Sequence, residues 1–144
     1  MKLFPSLATG AVALLLAASV AAAADAPADP LAQAVAKGET LFSHETFGGN
    51  GKTCETCHVG GGKVSATLPN GRTLPSLANA AAIYPRFSRG AGTVVTLEGQ
   101  VRQCIHGGLG GNPPPAGSPE LVALVAYLGS IAHGQTVDMG GAPQ

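Results

Sequence analysis

The chain has 144 residues, with eight Lys and Arg against eight Asp and Glu, four His and three Cys. That length sets a prior of one domain, and so even a charge balance speaks against nucleic-acid binding, which calls for a basic patch. With 21 Gly, 11 Pro and no Trp, the chain buries only a thin core by itself, which leaves room for a large apolar group inside it.

Lys2 is followed by an apolar run from Leu7 to Ala24, which ends in Ala21-Ala22-Ala23-Ala24 before the chain turns polar at Asp25. This is the pattern of a secretory signal peptide cut after Ala24; as a retained membrane anchor the run is only marginally long enough. The expectation is therefore residues 1–24 as signal peptide and residues 25–144 as one exported, periplasmic domain. The mature part holds seven basic and eight acidic residues and no further segment able to cross a membrane.

Asp29-Pro30 reads as the N-cap and first residue of a helix, with Leu31, Val35, Leu41 and Phe42 as its apolar face and Gly38 four positions before Phe42. The glycine-rich Gly48–Gly51 stretch leads into Cys54-Glu55-Thr56-Cys57-His58, a C-x-x-C-H signature of covalent c-haem attachment. Two thiols three positions apart on a turn can reach one edge of a porphyrin, and the adjacent imidazole is then carried beneath the iron. A thioredoxin-like redox pair would need a βαβ context that is not visible here. A zinc site would need a second Cys/His pair, which Cys104 and His106 could supply.

Gly60-Gly61-Gly62 and residues 65–93 read as loops, with a short helix possible over Ala78–Tyr84. Arg72, Arg86 and Arg89 are candidates for haem propionates or for a docking rim; a solvated face explains them equally well. Ser118-Pro119-Glu120 starts another helix, with Leu121, Leu124, Val125 and Leu128 as its buried stripe, Tyr127 beside it and Gly134 at its stop.

Cys54, Cys57 and His58, with A-x-G-x-x-L-F before them and L-V-A-L-V-A-Y-L near the end, resemble class I c-type cytochromes. The resemblance implies a small all-α cytochrome c fold in which the first and last helices cross over one covalently bound haem c. It also implies that a proline carbonyl, best matched by Pro75 and next by Pro69, holds Nδ1–H of the axial His58. Most of that family ligates iron with Met before the last helix, but Asn112 stands in that slot. The two methionines are Met1 and Met139, the latter 81 residues beyond His58. As sixth ligand this leaves Cys104, His106 or Asn112, or an open site, with His44 and His133 more often plain surface residues. A lone Cys104 is by itself more often a small buried hydrophobe.

The run Leu97-Glu98-Gly99-Gln100-Val101-Arg102-Gln103-Cys104, followed by Pro113-Pro114 and Ser118-Pro119-Glu120-Leu121, is similar to the cysteine-ligated haem domains of SoxA-type cytochromes and thiosulfate dehydrogenases. That likeness implies Cys104 as the distal iron ligand. It departs where the family pattern has arginine four residues before the cysteine and often a basic residue after it. Those places hold Gln100 and Gly107 or Gly108, and Arg102 is out of register. An anionic sulfur substrate needs such donors.

The functional expectation is a periplasmic monohaem carrier that passes single electrons to transient redox partners, a partner haem subunit being possible. The alternative is a haem enzyme or sensor of sulfur-compound (thiosulfate or sulfite) oxidation or small-ligand binding. Carrier is the preferred reading of the two.

Overall fold

The computed structural model describes residues 29–144; the expected signal peptide lies outside the described residues. Helix α1, Pro30–His44, starts as its sequence dictates: the Asp29 side chain accepts a hydrogen bond from Leu31 N at 3.1 Å, and Pro30 occupies a position that needs no N–H partner. Its buried residues are Gly38 and Phe42, while Leu31 is exposed, so the apolar face begins a turn later than its pattern suggests. Helix α5, Pro119–Ile131, is capped by Ser118 and buries Leu121, Ala123, Leu124, Tyr127 and Leu128, with Val125 at the rim. It ends at Ile131, and Gly134 with φ +83° turns the chain away.

Helices α1 and α5 cross at Gly38. A Cβ there would run into the Ala123 carbonyl oxygen and lie 2.7 Å from Tyr127 Cβ, so only glycine lets the two backbones come this close. One turn on, the Phe42 and Tyr127 rings pack with centroids 5.3 Å apart at 55°, a tilted aromatic pair. Lys37 and Glu120 pair at 2.9 Å on the outside of the crossing. Ile105, Leu109, Leu121, Leu124 and Leu128 complete the core around these two rings.

In the stretch around Cys104, to which the sequence reading assigns no element, the chain forms a third long helix, α4, Leu97–Leu109. Thr96 caps it by accepting from Gly99 N at 3.0 Å, and Gly110 closes it in the left-handed conformation at φ +64°. Burial of Ile105 and Leu109 against α5 outweighs the low helix propensity of Gly99, Gly107 and Gly108.

The fold is not purely helical. Residues expected as loops form two short antiparallel hairpins, β1 (Ala66–Thr67) with β2 (Thr73–Leu74), and β3 (Arg86–Ser88) with β4 (Thr93–Val95). Gly71 and Gly92, both with positive φ, lie in their turns. The one-turn helices α2 (Cys54–Cys57) and α3 (Ala80–Ile83) complete the elements, α3 within the span expected for it. After α5 the C-terminal segment returns along α3. Asp138 N donates to Ala82 O and Gly140 N to Ile83 O, each at 2.9 Å, and Asn79 Nδ2 donates to Ala142 O at 2.9 Å.

Candidate functional site

Helix α2 carries the attachment motif. Thr53 N donates to Thr56 Oγ1 at 3.0 Å, which closes the start of the turn, and His58 N donates to Cys54 O at 2.9 Å at its end. The three glycines that follow all have positive φ, 61°, 65° and 81°. They form a tight backbone knot pinned from three sides. Glu55 Oε1 accepts from Gly61 N at 3.1 Å, Leu77 N donates to Gly62 O at 2.7 Å, and Tyr127 of α5 donates its hydroxyl to Gly61 O at 2.9 Å. The last of these ties the motif to the α1–α5 crossing.

Cys54, Cys57 and His58 open onto a cavity of about 680 Å³, within the range of cofactor-sized sites. Its other walls come from residues 72–84, from the β3–β4 hairpin at Ser88 and Gly90, from the C-terminal segment at Pro143, and from α4. Helix α4 contributes Gln100, Gln103, Cys104, Gly107, Gly108 and Leu109. Leu74, Pro75, Leu77, Ala80, Ile83 and Leu109 make much of the lining apolar, and Arg72 brings a cationic group to it.

His58 Nδ1 is buried and has no hydrogen-bond partner among the described residues, so the bond expected from Pro75 is not made, although Pro75 lines the cavity. Burial lowers the His58 pKa and so favours the neutral imidazole that can bind a metal. Burial, followed by the nearby Cys104, pushes the Cys54 thiol up to about 12.

Cys104 is a free thiol on α4, facing this cavity. Its Sγ accepts a hydrogen bond from Gln100 Nε2 at 3.3 Å, one helical turn earlier. His106 is exposed two residues further along the helix and does not line the cavity, and neither do Asn112, His44 or His133. Asn112 instead donates its backbone N–H to Phe47 O at 2.8 Å. Met139 is exposed and also away from the cavity walls. Arg102 lies on a different face of α4 from Cys104, with its Nε buried and unpartnered among the described residues. Two residues apart on a helix, Arg102 and the thiol do not share a face. A zinc site from Cys54, Cys57, Cys104 and His106 is not assembled: among the described residues no three His, Cys, Asp or Glu side chains cluster to hold a metal ion.

The cavity fits a covalently held haem. Two thiols for attachment, an imidazole whose buried Nδ1 has no partner among the described residues, and a thiol on a separate element all face one largely apolar space. Sequence reasoning found all four of these residues. It also named Gln100 and Gly107 or Gly108 around Cys104 but not the helix that brings them there, although spacings of three and four from Cys104 place them on one helical face.

Comparison with known proteins agrees with this geometry. A thiosulfate dehydrogenase of Allochromatium vinosum is 28% identical over 127 residues, spanning 85% of this chain and 46% of the relative. One from Psychrobacter arcticus is 27% identical over 124 residues, spanning 82% and 35%. The chain thus covers less than half the length of these curated relatives. Among solved structures, thiosulfate dehydrogenase (TsdBA) from Marichromatium purpuratum superposes with TM-score 0.63 at 24% identity, over 82% of this chain and 28% of that one. SoxXA from P. pantotrophus superposes with TM-score 0.60 at 21% identity, over 77% and 37%. These two likenesses establish the cytochrome c fold. The profile of the SoxA/TsdA cytochrome c domain, which implies covalently bound haem c, matches residues 37–137, and the chain belongs to that family.

Proposed function

We propose that this chain is a periplasmic monohaem cytochrome of sulfur-compound oxidation, an electron carrier whose single haem is held by His58 and Cys104. The observation that carries this reading is that His58 and Cys104 line one cavity with the two attachment cysteines, while His106, Asn112 and Met139 do not. Bound haem supplies a reversible one-electron couple. Cys54 and Cys57 would fix it covalently, His58 would offer Nε2 and Cys104 its Sγ, and Arg72 would face a propionate. An anionic thiolate favours ferric iron, which sets a potential well below that of a His/Met cytochrome.

The periplasm follows from residues 1–24 read as a cleaved export signal. Among the described residues no helix is long and apolar enough to cross a membrane. The relatives named thiosulfate dehydrogenase, and structural neighbours titled as TsdBA and SoxXA, support work alongside a partner haem subunit or transient redox partners.

Thiosulfate turnover by this chain alone is the second reading, favoured by those relatives. Against it stand Gln100, Gly107 and Gly108 where an anion would need cations, and Arg102 turned from Cys104. Stopped-flow mixing of the oxidised holoprotein with thiosulfate separates the two. The carrier reading expects no haem reduction without a partner, together with a reversible titration of one electron per chain. Rapid haem reduction with formation of an oxidised sulfur product would replace it with the enzyme reading.

A further inference from the structure

We infer that Gln100 is a positioning residue for the iron ligand: its side-chain amide holds Cys104 Sγ by a neutral N–H···S hydrogen bond and raises the potential of the couple above that of a bare thiolate. The inference rests on the ligation by Cys104 proposed above and adds to it a residue with its own role.

Gln100 and Cys104 stand four apart on α4, a spacing that stacks two side chains on one helix face. Gln100 Nε2 lies 3.3 Å from Sγ, and both residues line the cavity. Gln100 is half-buried and Cys104 exposed, so the bond lies at the open side of the cavity, where its four-residue spacing and not burial holds the amide beside Sγ. The Gln100 backbone N–H is used separately, donating to Thr96 O at 2.9 Å. A hydrogen bond draws electron density from sulfur, weakens its donation to iron and makes ferrous iron easier to reach, which is one of the levers a protein has on a haem. A cation at the same place would act more strongly, because it adds a full positive charge beside the thiolate. It would also make the thiol's neighbourhood attractive to anions. The amide keeps the first effect without the second. Arg102, the nearest cation along α4, does not line the cavity and cannot substitute for it.

The test uses the processed holoprotein and four variants, with midpoint potential, ferric near-infrared spectrum and thermal unfolding measured for each. Cys104→Ser must lose the thiolate band; if its spectrum equals wild type, the ligation reading fails and this inference with it. With that band lost, Gln100→Leu is expected to keep it while the potential falls and cyanide displaces the thiolate more slowly. Gln100→Glu, which exchanges the donor for an anion of the same shape, is expected to fall further and keeps the test open should Gln100→Leu not fold. Gln100→Arg restores N–H donors and is expected to bring the potential to wild type or above. An unchanged potential in Gln100→Leu or Gln100→Glu with the thiolate band retained overturns the role of Gln100 and leaves the ligation standing.

Discussion

Gly38→Ala tests the crossing that supports the whole site. The added methyl group meets the Ala123 carbonyl and Tyr127 Cβ, neither of which is the free end of a flexible side chain, so α1 and α5 must move apart. Overpacking of this kind costs about 1–3 kcal/mol, and contact with backbone argues for the upper end. Alanine returns about 1 kcal/mol through better helix propensity. The net expectation is a loss of about 2 kcal/mol, which for a domain near this size lowers Tm by about 8 °C. Gly129→Ala is the matched control. It lies within α5, its added Cβ meets nothing within 4 Å, and it should gain up to about 1 kcal/mol from propensity alone. Thermal melts of the two holoproteins by circular dichroism at matched haem content give the comparison. Gly38→Ala as stable as wild type would mean that the close approach at Gly38 does not hold the fold together.

Tyr127→Phe removes the hydroxyl bond to Gly61 O and should cost about 1 kcal/mol, seen as a lower midpoint in denaturant. Burial, then the nearby Glu39 and Glu55 carboxylates, raises the Tyr127 pKa above its ordinary value. Its contribution is therefore full below the unfolded tyrosine value near pH 10 and is lost as pH climbs through the folded one. Melts from pH 8 to 11 should show wild type falling more steeply than Tyr127→Phe; parallel curves would contradict the linkage. Replacing both Cys54 and Cys57 by Ser should abolish covalent haem, and wild type should carry one haem per chain by intact-protein mass spectrometry; a second haem would refute the monohaem reading.

The two outer helices were legible because their signals are local: Asp29-Pro30 and Ser118-Pro119 are cap and first-turn pairs, and apolar stripes follow them. The attachment motif was legible because its chemistry requires adjacent residues. Helix α4 was harder to see because Gly99, Gly107 and Gly108 mask it, though Thr96, the Leu97-Val101-Ile105-Leu109 spacing and Gly110 were its cap, stripe and stop. What the sequence did not disclose is set by contacts distant along the chain. The Asn79–Ala142 and Gly140–Ile83 bonds fold the tail onto α3, and the Tyr127–Gly61 bond links the last helix to the motif. The β3–β4 hairpin was missed because its three-residue strands carry little pattern, with Phe87 and Val94 opposite one another and both exposed. Placing Cys104 on a helix fixes which neighbours share its face, and that could not be read without the helix.

The most direct test of His58–Cys104 ligation is the ferric EPR and near-infrared spectrum of wild type beside Cys104→Ser. Ligation by Cys104 predicts a low-spin signal and a thiolate charge-transfer band in wild type, with the band gone and the signal altered in the variant. Identical spectra from the two proteins would remove Cys104 from the iron and contradict the account at its centre.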